Sequence, residues 1–539
     1  MIESGEFELL NMMSSDAKRI PWSSRAFPRL WVYHLNYCDF VNLDLSRPED
    51  RPVLRKALKI MADWCAQNST GLEAGWEPYP LSRRVVNWLK FLLRNASLLE
   101  AIGQKTAVVE ILSSLRCQAL ALERTLEFHL RANHLLKNIK ALMFAGALLE
   151  TCDSKRWWAR GATLLEEQLG EQILRDGGHF ERSPMYHAEV LDDLLDLQTL
   201  AGASGRPLPC ATMLSKSIGR MADFLAAMLH PDGEIALFND SAFEVAPEPW
   251  ELLERTGRQR AAPAGPEEEL RVLRDTGYAT IREPSTKSCL VFDCGPVGPD
   301  YQPGHAHCDV LSYELSLNSR RVVVDTGVST YEICLERHYE RSTAAHNTLR
   351  IDGEEQAEIW ASFRVGRRPK VSSIESGQIN GFRFVRGSHQ AYQRLGIVHA
   401  REIISCPGNC WVVVDCLQGN RSHHIESFVH FHPDVEVEAS RDPNNLSFGE
   451  LRKRFVIHSA GHRYFFLASN TGTLALKGAW YSPEFGRRER QLVIDWSWAG
   501  LLPAHTIYAF VPVGRSIPNV LLEADGKSIK IDNLNIPLI

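Results

Sequence analysis

The hydrophobic period of this chain changes near its middle, and that change limits what it can fold into. Between about residues 50 and 230 apolar residues recur at the spacing of an α-helix. Met213, Leu214, Ile218, Met221, Phe224, Leu225, Met228 and Leu229 keep one stripe over about four turns, and His134 to Leu149 is a long apolar run. Turns such as Gly75-Trp76-Glu77-Pro78-Tyr79-Pro80 and Asp176-Gly177-Gly178 break this half into successive helices. From about Leu273 the pattern becomes short β-branched and aromatic runs, such as Arg321-Val322-Val323-Val324-Asp325, Trp411-Val412-Val413-Val414, Ser427-Phe428-Val429-His430-Phe431 and Tyr464-Phe465-Phe466-Leu467. An all-α half followed by a mainly antiparallel β half is expected. The 539 residues also exceed what one core supports. The linker-like stretch Gly257-Arg258-Gln259-Arg260-Ala261-Ala262-Pro263-Ala264-Gly265-Pro266 predicts domains over 1–265 and 266–539, and sites favour such junctions.

Composition excludes several classes. With 60 Lys and Arg against 66 Asp and Glu the net charge is −6, so the chain lacks the basic footprint of a nucleic-acid binder. No apolar run reaches the ~18 residues of a membrane span. The start, Met1-Ile2-Glu3-Ser4-Gly5-Glu6, is acidic where a secretion signal is basic and then apolar. A signal removed beforehand would leave the same start, so the compartment, bacterial cytoplasm or periplasm, stays open. Twelve cysteines sit mostly inside apolar stretches and read as buried free thiols. There is no P-loop, no Gly-x-Gly-x-x-Gly and no Gly-x-Ser-x-Gly. His187-Ala188-Glu189 with Cys406 and Cys410 fails the zinc-deaminase pattern, because three residues separate the two cysteines.

The densest polar cluster is Gly304-His305-Ala306-His307-Cys308-Asp309, followed by Asp325 and by Arg341-Ser342-Thr343-Ala344-Ala345-His346-Asn347. In an extended segment His305 and His307 share a face, so they share a ligand or divide the roles of base and metal ligand. Asp325 and His346 would complete a nitrogen and oxygen site for a divalent ion, zinc or manganese. A bare pair of half-exposed histidines on a β-edge is the plainer alternative. A second cluster, Asp176 to His187, places Tyr186 at the entry to a helix carrying Asp192, Asp193 and Asp196. A phenol there serves as general acid or base if nearby cations lower it, or simply packs. Asn133, in Arg131-Ala132-Asn133-His134, is a natural N-cap. The basic run Arg364, Arg367, Arg368 and Lys370 is either a solvated edge or a partner for a carboxylate or sulfate. His423, His424, His430 and His432 read as mostly structural.

Six segments in order give the chain a family resemblance. Trp76-Glu77-Pro78-Tyr79-Pro80-Leu81-Ser82, Asn133-His134-Leu135, Asp176-Gly177-Gly178-His179-Phe180-Glu181, Ser183-Pro184-Met185-Tyr186-His187, Gly304-His305-Ala306-His307 and Ala345-His346-Asn347-Thr348-Leu349 are similar to the heparinase II/III-like polysaccharide lyases, over about residues 30 to 435. The chain looks nearest to the broad-specificity glycosaminoglycan lyases and their relatives in bacterial polysaccharide clusters. The resemblance implies an incomplete (α/α) toroid followed by an antiparallel β-sandwich domain, and β-elimination at a hexuronic acid in an acidic polysaccharide such as hyaluronan, chondroitin sulfate or heparan sulfate. It implies that Asn133, with His134, neutralises the uronate carboxylate. Tyr186 would be the acid, and for one C5 epimer also the base, and His305 the base from the opposite face. A divalent metal, zinc or manganese, would sit on His307, Asp325 and His346 in a structural role. Arg84, Arg341 and Arg364, in or beside these motifs, are expected to contact substrate anions. The resemblance fixes neither polymer, endo or exo action, nor oligomeric state. Two rivals are a toroid-type glycoside hydrolase using Glu181 and the three aspartates, and a carbohydrate-binding protein without catalysis.

Overall fold

The computed structural model describes residues 6–14, 20–45, 47–68, 74–258, 269–440, 447–448, 451–469, 471–515, 519–522, 528–532 and 534–537. The expected boundary at 265/266 and most of the linker stretch lie outside these residues. The chain forms two compact units, residues 1–173 with 190–219, and residues 174–189 with 220–539.

The first unit is built of helices: α1 (Arg29–Tyr37), α2 (Arg51–Gln67), α3 (Pro78–Arg94), α4 (Ala96–Ala101), α5 (Lys105–Arg124), α6 (Ala132–Leu148), α7 (Ser154–Gln172), and parts of α8 (Pro184–Ser204) and α9 (Ala211–Met228). One short β pair, Glu8–Leu9 with Met12–Met13, precedes them. The apolar run from His134 is α6, buried on nearly every face between α3, α5 and α7. Its approach to α7 needs two glycines. A Cβ at Gly146 would lie 2.7 Å from the Trp158 nitrogen, and one at Gly161 would lie 2.4 Å from Met143 Cγ. The three aspartates of α8 are spent inside this unit. Lys137 and Lys140 each reach Asp193 at 2.9 Å, Lys140 lies 3.7 Å from Asp192, and Lys90 and Lys140 both pair with Asp196.

Apart from the start of α8, the end of α9, a short helix α10 (Pro249–Arg255) and another helix near residue 340, the regular structure of the second unit is antiparallel β. A five-stranded sheet runs in sequence order from Leu270–Leu273 to Arg320–Val323. A four-stranded sheet orders Thr473–Glu484, Arg487–Leu501, Ser422–His430 and Leu349–Ile351. The largest sheet has nine strands, with Val398–Cys406, Cys410–Gln418 and Ala504–Pro512 at its centre. One face, with Ile403, Trp411, Val413, Phe466, Tyr508 and Phe510, packs with residues of the other two sheets, among them Phe292, Leu315, Ile494 and Trp496. The other face, with Ile404, Val412, Val414 and Ala509, is covered by a three-stranded sheet through Val520, Ile529 and Ile531. Burial on both faces explains why Trp411 to Val414 is continuously apolar instead of alternating. All twelve cysteines are free. Among the described residues no helix is long and apolar enough to cross a membrane.

A polar spine crosses the central strands. Arg401 forms a forked pair with Asp415, at 2.7 and 3.0 Å, and its third nitrogen donates to the carbonyls of Leu311, at 2.7 Å, and Asn347. Asp415 also accepts from His399 at 2.7 Å, and His399 lies 3.0 Å from His389. Ala391 N–H donates to His389 Nδ1, so His389 Nε2 carries the proton and donates to His399 Nδ1. Removing one member of a buried charge pair strands the other. Asp415→Ala is therefore expected to lower the unfolding free energy by about 3–5 kcal/mol in a denaturant titration.

Candidate active site

The second unit brings together several segments that are distant in sequence. The first, residues 174–189, starts with a turn only glycine allows: Gly177 has φ 91°, and a Cβ there would lie 2.1 Å from the Arg220 carbonyl oxygen. The segment then enters α8 through Ser183-Pro184, a hydroxyl cap and a proline in the first turn. Ser183 Oγ accepts from the Tyr186 N–H at 3.1 Å and donates to the Asp240 carbonyl at 2.6 Å. That cap fixes Tyr186, whose ring stacks on His305 with centroids 4.1 Å apart and planes 15° apart. The Tyr186 phenol lies 2.9 Å from the phenol of Tyr331.

His305 Nδ1 lies 2.9 Å from Glu181 Oε1, and His179 Nδ1 lies 3.8 Å from Glu181 Oε2. Burial disfavours charge on His305, but the attraction of Glu181 outweighs it and leaves the ring above its ordinary 6.5. Burial takes His179 down to about 4, because the attraction of Glu181 at this longer distance does not offset it and the charges of His305 and Arg182 act in the same direction as burial. His187 is also neutral: its Nδ1 accepts from the His179 N–H at 3.2 Å and its Nε2 donates to the Met221 carbonyl at 3.0 Å.

The segments carrying His305–His307 and Tyr331–Arg337 meet on Asp240, which is fully buried. Arg337, on the short helix α11 (Leu335–Glu340), grips both its oxygens, one of them at 2.8 Å. His307 Nε2 lies 2.9 Å from Asp240 Oδ1. The Asp240 N–H donates to the His305 carbonyl at 2.9 Å. The Arg337 guanidinium also covers the ring of Tyr331, 4.9 Å from its centroid. Burial pushes the Tyr331 phenol well above 10, the Asp240 charge adds to this, and Arg337 and the Tyr186 bond act against it.

Residues 304–308 form a turn and irregular backbone, not the extended segment expected, so His305 and His307 divide their surroundings. His305 keeps a 12% exposed side chain beside Tyr186, whereas His307 is enclosed and drawn down to about 3 by burial. His307 and His346 face each other with ring centroids 5.4 Å apart. His346 Nδ1 lies 2.7 Å from Asp325 Oδ2, and that carboxylate holds the ring above its ordinary value despite burial. The remaining nitrogens, His307 Nδ1 and His346 Nε2, are buried without a hydrogen-bond partner. Asp325 thus stands behind His346 as its partner, and among the described residues no three His, Cys, Asp or Glu side chains converge as a metal site.

In the first unit Asn133 is not the cap expected: Arg131 occupies that position of α6 with φ 56° and makes no side-chain cap bond. Asn133, 1% exposed, lies inside the first turn, and its Oδ1 has no hydrogen-bond partner. His134 Nδ1 lies 3.0 Å from Glu127 Oε1, and Asn138 donates to the other oxygen of Glu127 at 3.0 Å. The His134 side chain keeps 29% exposure.

Two of the three arginines expected to meet substrate anions have no free face. Arg84, 0% exposed, donates to Gln118 Oε1 at 2.9 Å and to the carbonyls of Asn36 and Gly75 at 3.1 and 2.7 Å, beneath the ring of Trp64. Arg341, also 0% exposed, holds the carbonyls of Ala306 and Ala361 at 3.0 and 2.9 Å. With no carboxylate partner, burial draws them down to about 9 and about 10. Both are internal struts. Arg364 alone is exposed. Sequence reasoning missed Tyr331, Asp240 and Arg337 as members of the site. Only the polar Asn239-Asp240-Ser241, directly after the apolar Ile235 to Phe238, carried a signal.

Comparison with known proteins agrees with this layout. The family described as Heparinase II/III-like, C-terminal, matches residues 265–531, and the one described as Heparinase II/III N-terminus matches residues 59–248. FtsZ-localized protein C of Caulobacter vibrioides is 26% identical over 479 residues, 81% of this chain and 77% of that protein. Heparin-sulfate lyase of Pedobacter heparinus is 24% identical over 406 residues, 70% of this chain and 58% of the lyase. Among solved structures, that of Heparinase III aligns with a TM-score of 0.72 at 17% identity, covering 97% of this chain and 85% of the other. A heparan sulfate lyase HepC mutant from Pedobacter heparinus aligns with a TM-score of 0.64 at 17% identity, covering 99% and 87%. The fold is that of an incomplete toroid followed by an antiparallel β-sandwich domain.

The internal role of Arg84 has a measurable consequence. Arg84→Met would leave two buried carbonyls and the Gln118 amide oxygen without a donor, and is expected to cost about 2–5 kcal/mol in chemical unfolding. A variant as stable as the parent would return Arg84 to the candidates for ligand contact.

Proposed function

The chain belongs to the heparinase II/III-like family, which makes it a polysaccharide lyase, and on that premise we propose that it cleaves uronate-containing acidic polysaccharides, of the glycosaminoglycan type, by β-elimination. The observation that carries the proposal is the Tyr186–His305 stack, with the second phenol of Tyr331 on one side and the Glu181 carboxylate on the other.

The reaction removes the proton from C5 of the uronate, forms the C4–C5 double bond, breaks the C4–oxygen bond and protonates the departing oxygen. The C5 proton is weakly acidic, so charge on the adjacent carboxylate must be offset as the carbanion-like transition state develops. Asn133 and His134 take that task. Half a turn of the Asn133 amide presents Nδ2 where the unpartnered Oδ1 now stands. His134 has its Nδ1 turned to Glu127, which leaves Nε2 for substrate. Tyr186 delivers the proton to the leaving oxygen, and for one C5 epimer also removes the C5 proton. The Tyr331 O–H, 2.9 Å away, can donate to the Tyr186 oxygen once that phenol has given up its proton. His305 is the base for the other epimer. When it takes up the proton, Glu181 stabilises the resulting imidazolium.

The two unpartnered nitrogens, His307 Nδ1 and His346 Nε2, suit a divalent ion of the zinc type, manganese being the alternative, with Asp240 and Asp325 as the carboxylates behind the two rings. Such an ion would cross-link the loop carrying His305 to the segment of His346 and stabilise the second unit. A third protein donor is missing from the fit.

The hydrolase alternative loses support because Lys90, Lys137 and Lys140 neutralise the α8 aspartates inside the first unit. The similarity to FtsZ-localized protein C keeps a non-catalytic role as the second reading.

An ultraviolet assay for the unsaturated uronate across hyaluronan, chondroitin sulfate, heparan sulfate and heparin tests the proposal, and binding without a new chromophore would favour the second reading. Tyr186→Phe is expected to lower turnover at least about a hundredfold while polymer still binds, and a near-parental rate would remove Tyr186 from the chemistry. Chelation followed by dialysis is expected to lower the melting temperature by several degrees, with metal found by elemental analysis beforehand. An unshifted melting curve and no bound metal would refute the ion.

A further inference from the structure

Beside the Tyr186–His305 stack stands a two-stranded ribbon, Ile359–Trp360 paired with Arg364–Val365. Ile359 and Val365 lie opposite each other and pack against the large core of the second unit. Trp360 and Arg364 are the alternate cross-strand pair, and they point away from that core. Trp360 is 56% exposed and Arg364 is exposed as well. At the tip Phe363, 43% exposed, sets its ring edge-on to Tyr331 at 5.1 Å and to His305 at 6.1 Å.

A lone exposed aromatic needs no explanation. What calls for one is the anchoring of this tip. Two fully buried guanidiniums hold its backbone: Arg341 donates to the Ala361 carbonyl at 2.9 Å, and Arg337 donates to the Ser362 carbonyl at 2.8 and 3.2 Å. Ala361 sits in the left-handed region at φ 54°, a conformation that a non-glycine residue keeps only when its surroundings enforce it. Buried cations are costly to place. Here they are committed to holding a surface ribbon rigid while it presents two aromatic rings and a free guanidinium next to the reacting groups.

We propose that this ribbon is a substrate-binding arm, on which Trp360 and Phe363 each stack a pyranose ring of an acidic oligosaccharide while Arg364 pairs with a carboxylate or sulfate group on the same stretch. The assignment rests on the lyase reading for the identity of the sugar, and adds the residues that set how far the bound chain extends from the cleavage point. The chemistry is complementary. A pyranose offers an apolar C–H face to an aromatic ring, as ligand sites pair aromatic walls with a few placed polar groups. The planar guanidinium of Arg364 matches a carboxylate or sulfate in a forked pair. Rigid mounting spares the entropy of ordering the arm when the polymer binds.

The test compares the parent with Trp360→Ala, Trp360→Phe and Arg364→Ala on heparan sulfate and hyaluronan, and on the shortest oligosaccharide of each that is cleaved. Trp360→Ala is expected to raise KM for the polymer about three- to tenfold with kcat within about twofold, to leave KM for the shortest oligosaccharide unchanged, and to be restored by Trp360→Phe. Arg364→Ala is expected to raise the polymer KM and flatten its rise with salt. Unchanged polymer KM in both alanine variants would overturn the arm while leaving the lyase standing. If the parent cleaves none of the polymers, the lyase reading fails and quenching of tryptophan fluorescence by the same polymers decides for the arm. Quenching lost in Trp360→Ala supports it, and quenching retained in full refutes it. The exposure of Trp360 keeps its alanine variant foldable, and a melting curve matching the parent's verifies that.

Discussion

Asp240 is the group on which the rest of the site depends. Its carboxylate is buried and charged, held well below the usual carboxylate range because the Arg337 guanidinium and the His307 ring offset the cost of burying it. Its backbone is equally committed: the N–H bonds the His305 carbonyl and the C=O receives the Ser183 hydroxyl that caps α8. One residue therefore ties the position of Tyr186, through the cap, to that of His305, through the peptide. Arg337 carries the tie outward to the Tyr331 ring and to the Ser362 carbonyl. A buried ion pair contributes little to stability compared with apolar packing, so its presence here is better explained by geometry it enforces.

The same arrangement explains how two histidines two residues apart come to behave oppositely. Asp240 has already committed its charge to Arg337, and what remains for His307 does not overcome full burial, so that ring stays neutral. His305 faces the Glu181 carboxylate at 2.9 Å, whose attraction outweighs the cost of burial, and it keeps some contact with solvent. A neutral imidazole suits a metal ligand, and an imidazole whose cation is stabilised suits a base that must hold a proton.

The change of hydrophobic period was enough to divide the chain into helical and β regions, because both periodicities report which face is buried. The turn at Asp176-Gly177-Gly178 was legible because its backbone geometry demands glycine. Side-chain destinations were not legible. Arg84 and Arg341 look like anion ligands in sequence because arginine usually seeks charge, yet each closes a set of backbone carbonyls that no local pattern reveals. Tyr331 and Arg337 join the site only through pairings across about 100 residues or more with Asp240 and Tyr186. The last three strands, Val520–Leu522, Ser528–Ile531 and Leu534–Pro537, lie beyond the stretch that carries the resemblance, and their place against the second face of the nine-stranded sheet depends on pairings that sequence spacing does not encode.

With Arg84 and Arg341 removed from the surface, the question raised by a net charge of −6 narrows to where cations remain free to act. Arg131 is partly exposed but paired with Glu171 at 3.1 Å, and Arg367 and Arg368 donate to carbonyls of neighbouring loops. Arg364 is left as the exposed guanidinium beside the stack, mounted on a ribbon that other arginines hold in place. A single cation placed beside the site outweighs a distributed excess of distant carboxylates, since exposed charges farther than a Debye length of about 8 Å are largely screened. On the proposed reading, a mildly acidic protein would hold an acidic polymer through Asn133 and His134 and through one rigidly presented arginine, Arg364, with Trp360 and Phe363 beside it, and hence through the buried charges that fix the ribbon.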